Sequence, residues 1–141
     1  MDWDQLVSHL GATTIVGIVT ERADGTAAVA PIWAVVVDGQ PYVRSYLGPT
    51  ALWYRRVLAG RPVFFTTGDG EVAERDTAAA LLQPRVAVRT EYVDPGDPIQ
   101  AAIDGAFLAK YREFPEADEM TQPAMVACTR RILPAEARPA Q

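Results

Sequence analysis

The chain has 141 residues, 49% of them apolar, a net charge of −5, one cysteine and one histidine. That is enough apolar material for one core, while the acidic balance leaves no basic excess for nucleic acid or an anionic membrane surface. No apolar run approaches the roughly 20 residues a membrane span needs, and a lone Cys with a lone His gives neither an internal disulfide nor a metal set.

The N-terminus, MDWDQLVSHL, is acidic where a secretory leader would be basic, which predicts a cytoplasmic protein. Residues 2–10 form a short helix with Trp3, Leu6, Val7 and Leu10 on one face, suited to covering one end of a core. His9 lies in it as a solvated helix-end residue. The β-branched run at 13–20 predicts a first strand and Asp24-Gly25 a turn. Residues 26–37 predict a second strand, with Pro31 at a bulge or an edge. Because 32–37 is apolar on both alternating faces, that strand needs an outer cover from a helix or another subunit. Asp38-Gly39 then closes a tight hairpin.

In the third strand, 42–46, alternation puts Tyr42, Arg44 and Tyr46 on one face and Val43 and Ser45 on the other. Gly48-Pro49-Thr50 starts a helix that runs to about Ala59 and stops at Gly60. A fourth strand at 62–67 and a turn at 68–70 follow. Residues 71–75 read as a weak fifth strand, and 76–83 as a loop or a helical turn. Residues 85–93 alternate cleanly as a half-exposed strand. The prolines from Pro95 launch a helix over 99–111, then come an acidic loop at 113–122, a last strand at 124–133 and a frayed tail at 134–141. Neither a repeat nor a linker divides residues 1–141, so one domain is expected.

Residues 39–68 stand apart in charge. They hold Arg44, Arg55, Arg56 and Arg61 and no carboxylate, so this stretch is +4 and the remainder −9. Such a segment suits an anion, and a phosphate near Thr50 would meet the unpaired N–H groups of a helix start beside an Arg able to grip it bidentately. Trp33, Trp53 and the tyrosines supply flat surfaces for a ring system. The absence of a catalytic triad, carboxylate pair or metal set fits chemistry carried by a cofactor, for which a protein need only bind, orient and supply a proton donor.

Residues 31–45, PIWAVVVDGQPYVRS, followed by GPTALWYRR at 48–56 and a strand from Pro62, resemble the flavin-binding split barrels related to pyridoxamine phosphate oxidase. Among these the chain most resembles a small family carrying W-x-V … YVRS … GP … WYRR, whose late AYRAKY helix is similar to AFLAKY at 106–111. The Trp53-Tyr54 helix with its Leu-Ala-Gly-x-Pro exit is also similar to that of the deazaflavin-dependent nitroreductases. The resemblance covers about residues 13–67 well and the late helix loosely. It implies a mainly β fold, a six-stranded antiparallel split barrel with helices that dimerises and holds two cofactors at the interface. It also implies phosphate contacts from Arg44 and Ser45 and from residues between Thr50 and Arg56. The chain departs from the oxidases' pattern, which has Ser-Arg-Lys or similar in the loop and a Lys where Trp53-Tyr54 lie here, and this leaves FMN and the 8-hydroxy-5-deazaflavin coenzyme both open.

The candidate cofactor-binding residues are therefore Arg44, Ser45, Thr50, Trp53, Arg55, Arg56 and Trp33. Arg55 and Arg56 lie about 100° apart on a helix, so one of them faces the ligand and the other solvent. Tyr54 and Tyr42 are the candidate proton donors; Lys110 and Tyr111 read as a helix end, and Cys128 as a small buried apolar residue. The expected function is a homodimeric flavin- or deazaflavin-dependent oxidoreductase that passes hydride to a small organic acceptor. The alternatives are a non-catalytic barrel binding flavin, haem or another anionic ligand, and a cofactor-free assembly module.

Overall fold

The structure is a computed structural model that describes residues 1–136. In chain order its elements are α1 (Trp3–Ala12), β1 (Val16–Glu21), β2 (Ala27–Ile32), β3 (Ala34–Val37) and β4 (Gln40–Arg44). A 3₁₀ turn (Gly48–Thr50), α2 (Leu52–Leu58), β5 (Val63–Thr66), α3 (Val72–Arg75) and α4 (Thr77–Leu81) follow. The chain ends with β6 (Arg85–Tyr92), α5 (Ile99–Lys110), α6 (Glu116–Glu119), α7 (Pro123–Val126) and β7 (Thr129–Pro134). The strands form one antiparallel sheet in the order β2-β1-β5-β6-β7-β4-β3.

That order requires curvature. β2 and β3 are the two edges of the sheet, yet only Trp33 separates them in sequence. The sheet therefore rolls until its edges meet at Trp33, as a half-barrel split along that line. Seven strands replace the six expected because the run 26–37 breaks there; β2 and β3 counted as one give six. Pro31 sits exposed on the edge strand β2, where its missing N–H breaks no ladder.

The alternation of apolar residues builds two cores on opposite faces of the sheet. Val16, Ile18, Ala34, Val43, Phe65 and Ile132 point into the roll, and Leu6 and Leu10 of α1 close it from one end. Val35 and Tyr42 point outward and are covered by Ile103 and Phe107 of α5 and by Tyr111 at its C-cap. The outer cover expected for 32–37 is thus α5. The two-sided apolar strand and the stripe of the late helix are one packing solution. Cys128 is buried in the inner core.

Asp38 and Gly39 have φ of +49° and +77°, both left-handed, as a two-residue hairpin between right-twisted strands requires. The third Asp-Gly turn does something else, and the fifth strand expected at 71–75 is the helix α3. The Asp69 carboxylate accepts from the Glu71 N–H at 2.9 Å, and Gly70 packs so tightly that a Cβ there would lie 1.8 Å from the Ile15 carbonyl oxygen. With the backbone turned in this way, Ala73, Glu74 and Arg75 are good helix formers and Arg75 reaches back to Glu71 at 3.8 Å.

Residues 76–83 resolve as α4, capped by the Asp76 side chain. The acidic loop contains α6, and the last strand starts at Thr129 rather than 124 because Pro123 opens the turn α7. Of the expected tail, Pro134 closes β7, and 137–141 lie outside the described residues.

Candidate functional site

A cleft of about 680 Å³ opens where the sheet edges meet. Its back wall is β2, with Ala28 to Ile32, ending at Trp33. Its front wall is the turn and helix that follow β4: Tyr46, Leu47, Ala51, Leu52, Trp53 and Arg56. Thr20 and Arg22 from the end of β1, and Glu116 and Met120 from the α6 segment, complete it. The volume and the largely apolar lining with few polar groups are those of a small-molecule site.

Trp33 is held rigidly. Its ring stacks on Tyr111 with centroids 3.9 Å apart and planes 5° from parallel, and Phe114 adds a tilted contact at 5.5 Å. The Tyr111 hydroxyl donates to the Thr14 carbonyl at 2.7 Å and accepts from the Ala34 N–H at 3.1 Å, and burial pushes its pKa up. The wall that Trp33 presents is therefore preorganised by α5 from behind. Trp53 is buried beneath the opposite wall, edge-on to Tyr54 at 5.7 Å.

The expected site residues separate into three groups. Trp33, Trp53 and Arg56 come together in the cleft, while Arg55 lines an adjoining hollow with Arg56. Ser45 and Thr50 are spent locally: the Ser45 hydroxyl donates to the Gly48 carbonyl at 2.6 Å and Thr50 to the Leu47 carbonyl at 2.7 Å. These bonds shape the turn, and neither residue lines the cleft. The helix begins at Leu52 rather than at Pro49, because the chain takes a 3₁₀ turn first.

Arg44 belongs to both worlds. It lines the cleft, but its side chain is fully buried and its guanidinium is bound from the other side. Nε donates to Thr129 at 3.0 Å, Nη1 to Asp104 at 2.6 Å and to the Met120 carbonyl at 2.9 Å, and Nη2 to Gln100 at 2.7 Å. Burial lowers its pKa, opposed by the Asp104 carboxylate. Arg44 thus ties α5, β7 and the α6 segment to β4.

The two candidate proton donors lie away from the cleft. Tyr54 is buried against Cys128, and desolvation raises its hydroxyl to about 12. Tyr42 is buried under α5 with the Arg131 guanidinium over its ring at 5.7 Å. Hydroxyls that do line the cleft belong to Thr20 and Tyr46. Thr20 is 1% exposed and its Oγ1 has no hydrogen-bond partner among the described residues. Tyr46 donates to the Glu119 carboxylate, which with burial raises its pKa. His9 is outside the cleft; burial lowers its pKa.

Sequence reasoning missed Thr20, Arg22 and Tyr46. Tyr46 was legible, since it follows Arg44 at strand spacing. Thr20 and Arg22 carried no local signal, because only the pairing of β1 with β2 brings them to the cleft. Among the described residues no helix is long and apolar enough to cross a membrane, and no group of His, Cys, Asp and Glu could hold a metal ion.

Known structures share this fold. HutZ, the heme storage protein from Vibrio cholerae, superposes with a TM-score of 0.66 at 13% identity, over 94% of this chain and 89% of that one. ChuZ from Campylobacter jejuni gives 0.62 at 11% identity over 92% of this chain, which spans only 49% of ChuZ. A provisionally assigned pyridoxamine 5′-phosphate oxidase from Lactobacillus delbrueckii gives 0.51 at 14% identity, over 96% and 89%. Identities this low establish the shared split-barrel fold and nothing finer. No curated protein matches the sequence. The family model for "Uncharacterized protein conserved in bacteria (DUF2255)" matches residues 6–132, and the chain belongs to that family.

Proposed function

We propose that this protein binds a flavin-type cofactor, FMN or the deazaflavin coenzyme, in the cleft between β2 and α2, and acts as an oxidoreductase on a small organic acceptor. The observation that carries the reading is the cleft itself. It offers about 680 Å³ beside the flat ring of Trp33, with Trp53 packed beneath the opposite wall, and Arg56 at its rim forms no ion pair or side-chain hydrogen bond among the described residues. The buried Thr20 hydroxyl, without a hydrogen-bond partner among the described residues, is a group that such a ligand would satisfy.

In this reading Trp33 orients the ring system, Arg56 neutralises the anionic end and the apolar lining excludes water. The bound cofactor would supply the hydride chemistry. Arg44 holds the floor of the cleft in place. Tyr46 is the cleft-facing phenol and replaces Tyr54 and Tyr42 as the first proton donor to try.

The reading includes a homodimer built from a single split-barrel domain. Leu47 and Leu52 are 64% and 60% exposed beside the cleft, and the outer edge of β2 has no strand partner among the described residues. A second copy over this face would cover both.

A second reading, storage or sensing of a planar anionic ligand without turnover, draws on two facts. Neither expected proton donor lines the cleft, and HutZ is a heme storage protein. Haem fits the donor set less well, because the only histidine lies elsewhere, leaving Met120 and Tyr46 as side chains able to meet an iron.

Titration of purified protein with FMN and with the deazaflavin coenzyme, followed by fluorescence, tests the proposal. Binding of either below roughly 100 µM, about 5.5 kcal/mol, supports it. Weaker binding of both, or a protein that stays monomeric with cofactor bound, would sink the oxidoreductase reading.

A further inference from the structure

We propose that the end of the cleft beside α6 takes an organic cation, a protonated or quaternary amine, and that Glu116 is the residue that selects it. This inference rests on the cofactor reading for making that cation the acceptor substrate; the cation site itself does not need it.

The cleft is polarised along β2. Thr20 pairs with Ala28 and Val16 with Ile32, so the back wall starts near Arg22, just past the end of β1, and finishes at Trp33. Five residues of extended chain separate Ala28 from Trp33, roughly 16 Å. Arg56 belongs to the Arg22 end, because both also line the adjoining hollow.

The Trp33 end carries the opposite sign. Trp33 touches Phe114, which leads into α6, and α6 brings Glu116 into the lining. Tyr46 stands with them: its hydroxyl donates to Glu119, and that bond, burial and the charges of Glu119 and Glu116 all raise its pKa. Arg44 also lines this end, beside Met120, but Asp104 balances its charge at 2.6 Å.

Glu116 is the acid that the fold does not use. It is half-buried, and it is the only carboxylate among the described residues that lines the cleft. No ion pair or hydrogen bond engages its side chain among the described residues. The helix dipole favours acids in the first turn of α6, where Asp118 and Glu119 are exposed. It gives no reason for the one acid there that meets the cleft.

The neighbours of Glu116 select by chemistry. With its proton on the Glu119 side, the Tyr46 hydroxyl turns lone pairs to a ligand. Met120, 1% exposed, adds a polarizable thioether. Trp33 offers its free ring face to a cofactor or, where none is bound, to the cation itself. An anion here would be repelled by Glu116, and a neutral ligand would desolvate that carboxylate without a partner. A cation on an apolar frame suits the carboxylate, the phenol oxygen and the apolar walls together.

The test is an NMR titration of the full chain with benzyltrimethylammonium, benzylamine, benzyl alcohol and benzoate, at about pH 7 and about 50 mM salt. It is run on protein saturated with whichever cofactor binds, or on the unliganded chain if neither does. The two cations should bind at least about fivefold more tightly than the alcohol and benzoate. Glu116→Gln should reduce that preference to within about twofold, and Glu116→Lys should turn it towards benzoate. Glu113→Gln, at an exposed acid outside the cleft lining, should leave it unchanged. Thermal melts confirm that the variants fold. Equal affinity for the four probes, a cation preference that survives both Glu116 variants, or no cation binding below about 10 mM overturns the proposal.

The two readings fail separately. If FMN and the deazaflavin coenzyme both fail to bind while the cation preference through Glu116 holds, the cofactor reading falls and the cation site stands. If a cofactor binds and the loaded protein shows no preference, the cation site falls alone.

Discussion

Arg44 and Arg56 lie in the same acid-free stretch, yet they occupy opposite kinds of environment. Arg44 faces the side closed by α5, where Asp104, Gln100, Thr129 and the Met120 carbonyl take up its N–H groups. Arg56 faces the open side, among Arg22, Arg55 and Arg61. One charge is consumed by the fold, and the other has no ion pair or side-chain hydrogen bond among the described residues. Charge density in a sequence therefore locates cations but does not say which are free. That is decided by partners far along the chain, here 56 to 85 residues away.

The largest expected effect follows from the closed side. Arg44→Ala strands the Asp104 carboxylate, the Gln100 side chain and a buried carbonyl, and removing one partner of a buried ion pair costs about 3–5 kcal/mol. Asp104 keeps 34% side-chain exposure, so the lower end, about 3 kcal/mol, is expected. Chemical denaturation measures it. A loss under about 1 kcal/mol would mean that the network is not what joins α5 to the sheet.

Trp33 stands on the boundary, stacked on Tyr111 behind and facing the cleft in front. Trp33→Ala should lower both stability, by about 2 kcal/mol, and affinity for FMN or the deazaflavin coenzyme. Trp33→Phe should recover most of the stability. Full ligand affinity in a destabilised Trp33→Ala protein would place the ring elsewhere.

Arg56→Ala sharpens the contrast from the open side. It should weaken binding of the phosphate-bearing cofactor about tenfold, or 1.4 kcal/mol, with stability within about 0.5 kcal/mol of wild type. Added salt should mimic it, because this charge is screened and that of Arg44 is not. A stability loss comparable to that of Arg44→Ala would erase the distinction between the two arginines.

The same contrast explains what could be read beforehand. Strand and helix positions were legible where periodicity was strong, as at 85–93, 99–111 and the Asp38-Gly39 hairpin. The outer cover was legible too, because an apolar run on both faces of a strand demands one. The break at Trp33 was not, since nothing local marks the residue where a rolled sheet closes. The helix at 72–75 was hidden for another reason: the close approach of Gly70 to Ile15 is tertiary, and a run this short has almost no periodicity to read. Ser45 and Thr50 looked like ligands because hydroxyls near a turn suit phosphate and turn-capping equally well.

The smallest effect tests how closed the α5 side is. The Lys110 ammonium donates to the Leu10 and Ala34 carbonyls at 2.9 and 2.6 Å, lies over the Tyr111 ring at 5.1 Å and repels His9, with no carboxylate partner among the described residues. Burial pushes its pKa down from 10.5 to about 8. Between those values the unfolded chain keeps a proton that the folded chain has lost, so stability rises with pH across that window. Below pH 8 the desolvation penalty is present in full. Tyr111 and Tyr54, raised by burial, act in the opposite sense, but only above their ordinary value of 10.0. The interval from about pH 8 to 10 thus belongs to Lys110. Urea midpoints across it should climb for the wild type and stay flatter for Lys110→Met. Parallel curves would show that water reaches this ammonium and that the α5 side is more open than its hydrogen bonds imply.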